Sequence, residues 1–152
     1  MEQMLDELLR RFMQPLASLL LPDVTAGRPL DHHHSFIVDY AENRDVMLDM
    51  HTDDSEVTLN VNLRSDFEGS DLTFCGRRGT VDRRRHTLSY KHQRGRGIIH
   101  AGIHTHGAQP LARGARSNLI VWLVKRLFKF IIYFFTYLFS PLLVQMYYLF
   151  LH

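Results

Sequence analysis

The chain has 152 residues, of which 45% are apolar and 22% charged, and its formal net charge is +2 with neutral histidines. This composition predicts one folded domain and excludes a disordered chain, and so small a net charge gives no reason to expect a nucleic-acid partner. The single cysteine excludes an intrachain disulfide and a thiolate-rich zinc site and suits a reducing compartment, whereas ten histidines hint at metal chemistry.

Residues 1–30 form a predicted N-terminal helical segment. Apolar residues recur there at helical spacing, at Met4, Leu5, Leu8, Leu9 and Phe12. This pattern predicts a helix that ends near Pro15, a second helical piece to about Leu21, and a loop over residues 22–31.

From residue 35 the pattern changes to short strands. The sequence predicts them over residues 35–40, 46–51, 56–63, 72–74, 87–90, 97–100 and 117–123. Segment 56–63 is the clearest, because apolar residues alternate there with Thr and Asn. Many short strands without interleaved helices are typical of an antiparallel barrel or sandwich. We therefore expect a mainly β domain over residues 31–124.

Residues 125–152 form a hydrophobic tail that differs from the rest of the chain. No Lys, Arg, Asp or Glu follows Lys129, and the 22 residues of 130–151 are enough to span a bilayer as a helix. The basic residues just before this run would place the preceding domain on the cytoplasmic side. Two interpretations stay open: a transmembrane anchor with membrane association, or an aberrant tail on a cytoplasmic protein.

His51 and Asp53 carry the first chemical signal. Residues two apart in an extended chain point to the same side, so this imidazole and this carboxylate could bind one divalent metal ion. Two histidines and one carboxylate on one face of an octahedron are typical of iron(II) oxygenases. A His-x-Asp pair also occurs at the polar ends of ordinary strands, so the pattern needs a second histidine.

The segment 97–107 offers three histidines for that position: His100, His104 and His106. Arg116 follows His106 by ten residues, with glycines and a proline between them that permit a tight return of the chain. Arg116 then enters a strongly apolar strand, where an unpaired charge would be costly. We expect an anion such as a dicarboxylate co-substrate to pair with it.

These motifs resemble the 2-oxoglutarate and iron(II)-dependent oxygenases of the prolyl 4-hydroxylase and lysyl hydroxylase superfamily. The resemblance covers about residues 14–123 and includes the strings HTDDSEVTLNV, HGAQPL and NLIVWL, together with Gly114 and Arg116. It implies a double-stranded β-helix, which is a cupin-like jelly-roll barrel, over residues 31–124. It also implies a dioxygenase that hydroxylates an unknown substrate, with a prolyl or lysyl side chain of a protein as the family-level expectation, and releases succinate and CO2.

The resemblance also assigns the site residues. It implies iron(II) held by His51, Asp53 and His106, with Arg116 anchoring the distal carboxylate of 2-oxoglutarate and L-ascorbate keeping the iron reduced. Tyr40 sits where related enzymes place a tyrosine that binds the same carboxylate, and a half-buried strand tyrosine is the alternative. The spacing to Arg116 favours His106 over His100 and His104 as the third ligand.

The remaining polar residues have plainer expectations. His100 is expected in the core or beside the ligands, and His104 on the barrel rim or in contact with substrate. His32–His34 are expected in a solvated loop, with adventitious metal binding as the alternative. Asn60 and Asn62 are expected on the polar face of their strand, with co-substrate contact as the alternative.

A basic loop over residues 77–85 carries five arginines and is expected to be a solvated strand connection. Contact with nucleic acid or an anionic membrane surface is the alternative, although no aromatic residues are interleaved for base stacking. The family's proteins usually carry a longer N-terminal region and lack the apolar tail. Two alternatives to the enzyme function therefore stay open. The first is an inactive, membrane-associated jelly-roll variant, and the second is a metal-binding jelly roll of another class that does not use 2-oxoglutarate.

Overall fold

The computed structural model describes residues 2–27 and 29–125 of the chain. Its N-terminal part is helical, with α1 (Glu2–Leu8), a π-helical turn (Leu9–Met13), α2 (Gln14–Leu20) and α3 (Pro22–Thr25). The predicted helical segment is therefore present. The expected helix end near Pro15 is wrong. A π-helical turn leads directly into α2, and Pro15 lies in the first turn of α2, where the missing N–H of a proline is tolerated. Residues 22–25 were expected in a loop and form the short α3.

Strands make up most of the remaining described residues. They are β1 (His32–Ala41), β2 (Leu48–His51), β3 (Val57–Asn62), β4 (Phe67–Gly69), β5 (Leu72–Arg77), β6 (His86–Tyr90), β7 (Gly97–Ala101), β8 (His104–Ala108) and β9 (Leu111–Val124). One sheet has the order β1-β9-β3-β7, with β4 paired to β9, and the other has the order β2-β8-β5-β6. Every pairing is antiparallel among these strands. This confirms the expected mainly β, antiparallel architecture.

The sequence did not predict β4, β8 or the first part of β9. The residues of β8, His-Thr-His-Gly-Ala, have no alternation of large apolar side chains, so only their pairing with β2 and β5 makes them a strand. The solvated loop expected for His32–His34 is also wrong. These residues begin β1 and pair with the end of β9, and the Nε2 atom of His33 lies 3.3 Å from an Asp6 carboxylate oxygen of α1.

Two apolar cores lie on the two faces of the larger sheet. The first packs the helical segment against β3 and β9 and includes Leu5, Met13, Val57 and Leu123. The second lies between the two sheets and includes Tyr40, Leu72, Phe74, Ala108 and Leu111. Strand β3 is consequently buried on both faces, and Thr58, Asn60 and Asn62 are buried opposite its apolar side chains. A polar patch therefore lies between the sheets.

The chain crosses between the sheets several times. Strands β7, β8 and β9 lie in the larger, the smaller and the larger sheet respectively. The return after His106 therefore carries the chain to the facing sheet, where Arg116 lies on β9. Gly114 has a φ of 86° where β9 passes residue 66, and any side chain at this position would overlap the Asp66 carbonyl oxygen.

The predicted hydrophobic tail, a candidate membrane span, covers residues 125–152, and all of it after Lys125 lies outside the described residues. Within residues 2–27 and 29–125, no helix combines the length and the apolar character needed to cross a membrane.

Candidate metal centre

His51, Asp53 and His106 lie close together in the fold. His51 and His106 belong to the paired strands β2 and β8, and Asp53 lies just after β2. His51 ends β2 and pairs with His106 of β8, so the two imidazole rings lie 4.4 Å apart between centroids. The Nε2 atom of His51 is 3.5 Å from Oδ1 of Asp53, and Nε2 of His106 is 3.6 Å from Oδ2. One ligand atom from each of the three residues lies within 4.8 Å of the others. The three side chains are close enough to share one metal ion.

Backbone hydrogen bonds orient both imidazole rings. Nδ1 of His51 donates to the Asp49 carbonyl at 2.8 Å, and Nδ1 of His106 donates to the His104 carbonyl at 3.0 Å. A carbonyl oxygen can only accept, so each neutral ring carries its proton on Nδ1 and directs the Nε2 lone pair towards Asp53. Such bonds are the usual means of fixing the tautomer of a metal-binding histidine.

Asp53 is a buried carboxylate held by neighbouring donors. Its side chain is 4% exposed, and Thr58 Oγ1 donates to Oδ2 at 2.5 Å. Burial by itself raises the pKa of Asp53, but the nearby His51, the hydrogen bond from Thr58 and the neighbouring His106 and His100 together outweigh this effect and leave that pKa below its ordinary value. The carboxylate is thus ionised and ready to bind a cation.

The two histidines differ in how firmly they hold a second proton. The Asp53 carboxylate raises the pKa of His51 above its ordinary value, and burial opposes this only in part. Burial lowers the pKa of His106. His51 is therefore the candidate ligand whose second proton competes more strongly with a metal ion.

His100 lies beside the three residues and His104 lies farther out. His100 is buried, with its ring centroid 4.4 Å from that of His106, and its Nε2 atom is 3.8 Å from Asp53 Oδ2 without a hydrogen-bond partner among the described residues. Burial lowers the pKa of His100 to about 4. His104 is half-buried and accepts a hydrogen bond from Arg77 Nε at 3.1 Å. Neither belongs to the group of three whose ligand atoms converge.

Arg116 is fully buried and has no carboxylate partner in the described part of the chain. Its side chain bonds to three residues: Nε donates to Asn118 Oδ1 at 3.1 Å, Nη2 donates to His92 Nδ1 at 2.9 Å, and Nη1 donates to the Ser70 hydroxyl at 2.9 Å and to the Ser70 carbonyl. None of the ion pairs among described residues involves Arg116. Burial lowers its pKa, but a guanidinium stays charged in proteins, so this is a buried cation among neutral acceptors.

Tyr40 lies next to Arg116, as its predicted role requires. The two residues pair directly between β1 and β9, and the guanidinium carbon is 5.8 Å from the centre of the Tyr40 ring and 5.7 Å from that of Phe67. Burial raises the pKa of Tyr40, so its hydroxyl keeps its proton. The role of the tyrosine in binding a co-substrate stays a prediction.

Polar contacts place the metal centre and Arg116 along one strand. Thr58 of β3 bonds to Asp53, and Asn60, two residues further, accepts a hydrogen bond from Asn118 Nδ2 at 2.9 Å. Asn118 in turn accepts the bond from Arg116. Two residues of a strand span about 7 Å, so the polar face of β3 bridges the two ends of the site over a short distance.

Sequence reasoning missed Thr58, Ser70, His92 and Asn118. Side chains two residues apart lie on the same face of a strand, and this rule could have found two of them. Thr58 shares the strand face of Asn60, and Asn118 shares that of Arg116. Ser70 and His92 lie in connections between strands, and only the fold brings them to Arg116.

The basic loop is mostly exposed, and its first two arginines bond to other parts of the domain. Arg77 forms an ion pair with Asp23 at 2.7 Å. Arg78 Nη1 lies 3.4 Å from the hydroxyl of Thr52, which is the residue between His51 and Asp53 in the sequence. The remaining arginines of this loop, residues 83–85, are exposed.

Comparison with curated proteins finds relatives at about 40% identity. The chain is 40% identical over 134 residues to 2-oxoglutarate and iron-dependent oxygenase domain-containing protein CP2 of Arabidopsis thaliana, covering 85% of this chain and 34% of that protein. It is 43% identical over 122 residues to 2-oxoglutarate and iron-dependent oxygenase domain-containing protein 2 of Homo sapiens, covering 80% and 35%. The chain thus spans about a third of the length of the curated relatives it matches. The resemblance inferred from the motifs is confirmed.

A solved structure supports the fold. An oxidoreductase of the 2OG-Fe(II) oxygenase family from Burkholderia pseudomallei superposes with a TM-score of 0.56 at 15% identity, covering 80% of this chain and 54% of the other. At this identity the likeness shows a shared fold. No protein-family model matches the chain.

Proposed function

We propose that this chain, which is related in sequence to the 2-oxoglutarate and iron-dependent oxygenase domain-containing proteins, is an iron(II)- and 2-oxoglutarate-dependent dioxygenase domain built on a double-stranded β-helix. His51, Asp53 and His106 would hold the iron, and Arg116 and Tyr40 would bind the distal carboxylate of 2-oxoglutarate. L-Ascorbate is proposed as the reductant that maintains iron(II).

The observation that carries this proposal is the buried guanidinium of Arg116. A fully buried cation without a carboxylate partner among the described residues is costly to maintain unless an anion reaches it. A site for a metal ion alone would not need this arginine. A dicarboxylate that binds the metal at one end and Arg116 at the other accounts for both features, and the polar face of β3 joins the two ends.

The residues of the chain fit an iron(II) ion in their donor chemistry. Two unprotonated imidazole nitrogens and one ionised carboxylate are the donor set that is typical of iron(II) oxygenases, and they would hold the ion and leave positions on it for the co-substrate. Thr58 fixes the Asp53 carboxylate, and the backbone carbonyls of Asp49 and His104 fix the rings. Such preorganisation keeps the three donors in place before the metal arrives.

When bound, iron(II) and 2-oxoglutarate would supply the oxidation, with loss of CO2 and formation of succinate. The chain supplies position and shielding. Asp53 and His106 lie between two sheets with Phe74 stacked against the His106 ring, at 5.6 Å between centroids, so bulk water reaches this side poorly. Arg116 and its neighbours would set the direction in which the co-substrate lies.

The substrate is proposed from the superfamily resemblance to be a prolyl or lysyl side chain of a protein. Succinate formation from 2-oxoglutarate in the presence of proline- and lysine-containing peptides tests this part. Stimulation by neither class of peptide, in a protein that binds iron and 2-oxoglutarate, would contradict the substrate and leave the cofactor chemistry standing.

The decisive experiment is an anaerobic titration of the full chain with iron(II) and then 2-oxoglutarate, followed by the visible charge-transfer band of the chelate. We expect the band in the parent and none in His51→Ala. Arg116→Ala should keep its iron affinity and lose the band at moderate 2-oxoglutarate concentration. Arg113→Ala, an exposed arginine of the same strand, is the matched control and should behave like the parent. A folded parent that binds iron but shows no band would refute the proposal and favour another class of metal-binding jelly roll.

A further inference from the structure

His92 is a buried histidine that the proposed chemistry does not use. It lies in the connection between β6 and β7, is 3% exposed, and packs against Tyr90 with a ring distance of 5.5 Å. Its two ring nitrogens have different partners. Nε2 lies 2.9 Å from the carbonyl oxygen of Arg96, and Nδ1 lies 2.9 Å from Nη2 of Arg116.

These two contacts allow only one protonation state. The Arg96 carbonyl can only accept, so Nε2 carries the proton and donates it. A guanidinium can only donate, so Nδ1 must be unprotonated and accept from Arg116. Burial lowers the pKa of His92 to about 4, and the nearby Arg116 charge acts in the same direction, so the ring stays neutral at physiological pH.

The connection that carries His92 is itself held in place by β3. The backbone N–H of Asn62 donates to the backbone carbonyl of Arg96 at 3.1 Å, and the backbone N–H of Gly95 donates to the backbone carbonyl of Asn62 at 2.8 Å. The same carbonyl of Arg96 therefore accepts from both Asn62 and His92. This bracing fixes the position of Nδ1 relative to the sheet that carries Arg116.

The donors of Arg116 are almost fully used. A guanidinium has five N–H groups in one plane. Four acceptors face it: Asn118 Oδ1, the Ser70 carbonyl, the Ser70 hydroxyl and His92 Nδ1. If each acceptor takes one N–H, one N–H remains, and it lies on Nη2, the nitrogen that also donates to His92. Because the group is planar, these four bonds together fix the direction of the last N–H, and the bond to His92 is the one made by the same nitrogen.

We propose that His92 is a positioning residue for the co-substrate, acting through Arg116: its Nδ1 atom orients the guanidinium so that the remaining N–H of Nη2 meets the distal carboxylate of 2-oxoglutarate. This inference rests on the proposed function. It assigns to the histidine an acceptor role that neither a donor nor an apolar ring could replace.

Two isosteric changes separate the roles of the two ring nitrogens. In His92→Gln the side-chain amide nitrogen falls near the position of Nε2 and can donate to Arg96, but no acceptor faces Arg116. In His92→Asn the amide oxygen falls near the position of Nδ1 and keeps the acceptor. His86→Gln, which changes an exposed histidine of β6, is the control for the substitution itself.

The test measures 2-oxoglutarate affinity of the full chain loaded anaerobically with iron(II), by titration of the charge-transfer band. We expect His92→Gln to weaken binding by roughly tenfold or more, as for the loss of a hydrogen bond to a charged group, and His92→Asn to restore most of the affinity. Iron affinity should stay unchanged in both. Pyruvate, a 2-oxo acid without the distal carboxylate, should bind all variants equally.

The outcomes distinguish this inference from the proposed function. A parent that shows no band with 2-oxoglutarate overturns both. If the parent binds 2-oxoglutarate and His92→Gln binds it equally well, only the role of His92 is overturned. The same holds if His92→Asn binds 2-oxoglutarate as weakly as His92→Gln does, or if the affinity for pyruvate falls along with the affinity for 2-oxoglutarate. Nitrogen-15 NMR of the unmodified protein gives an independent check, because finding the proton of His92 on Nδ1 would also overturn it.

Discussion

The hydroxyl of Thr58 offers a direct measure of how much the surroundings of Asp53 contribute to metal binding. Thr58 is 1% exposed, and its Oγ1 donates to Asp53 Oδ2 at 2.5 Å. In Thr58→Val a methyl group replaces this donor while the branched shape that suits a strand is kept. A buried hydrogen bond to a charged acceptor is worth about 1.5–3 kcal/mol.

That free energy sets the expected size of the effect. At about 1.4 kcal/mol for each factor of ten, the loss corresponds to roughly a 10- to 100-fold weaker metal affinity, which is the range seen for outer-shell partners of metal ligands. Calorimetric titration of the full chain with iron(II) under anaerobic conditions measures it. Thr58→Ser keeps the hydroxyl and should bind nearly as well as the parent.

Thr73→Val serves as the matched control, because among the described residues the hydroxyl of Thr73 on β5 has Gln109 as its hydrogen-bond partner, outside the metal centre. We expect no change in metal affinity for this variant. A Thr58→Val protein that is folded and binds iron(II) within about twofold of the parent, well below the 10-fold lower bound for such partners, would refute the reasoning that Thr58 holds Asp53 for the metal.

Three further outcomes follow from the same geometry. Iron(II) affinity should be full above the raised pKa of His51 and fall as pH drops through it, by about tenfold per pH unit for one competing proton, and a flat affinity down to about pH 5 would contradict this. His106→Ala should lose tight iron binding, whereas His100→Leu should stay within about threefold of the parent in calorimetry, since His100 lies outside the converging set and, unlike Thr58, makes no hydrogen bond to Asp53. Gly114→Ala should lower the free energy of unfolding by about 2 kcal/mol or more, because its φ of 86° and a neighbouring backbone carbonyl both oppose a side chain. Gly79→Ala, at a φ of 87° with open space around it, should show the smaller backbone effect alone in the same denaturant titration, and equal losses at both glycines would contradict the steric explanation.

Much of the β architecture was predictable because alternation of apolar and polar residues is a local property. Segment 56–63 shows it clearly, and β3 is found at Val57–Asn62. The strands that escaped prediction lack that local pattern. His104–Ala108 contains two histidines, a threonine, a glycine and an alanine, and it becomes a strand because β2 and β5 pair with it on both sides. Pairing partners distant in the sequence cannot be read from such a segment.

The interpretation of the first histidines failed for a related reason. His32–His34 have polar side chains that suit a loop, but β9 extends far enough to pair with them, from His32 opposite Val124 onwards. The length of β9 depends on its pairing with β1, β3 and β4 together. A strand held by three others continues through residues whose own preference for the strand is weak.

The sequence by itself determined which residue types could make the site. The His-x-Asp spacing singled out His51 and Asp53, because residues two apart on an extended chain point to the same side. The chain order left three histidines open for the third position, and the resemblance to the oxygenase superfamily favoured His106, with Arg116 ten residues later. The tertiary structure alone decided what surrounds them. Ser70 and His92 come from connections far from Arg116 in the chain, and they meet its guanidinium because successive strands cross between the two sheets and bring these connections to one end of the interior. No local pattern carries that information, since it depends on which strands pair.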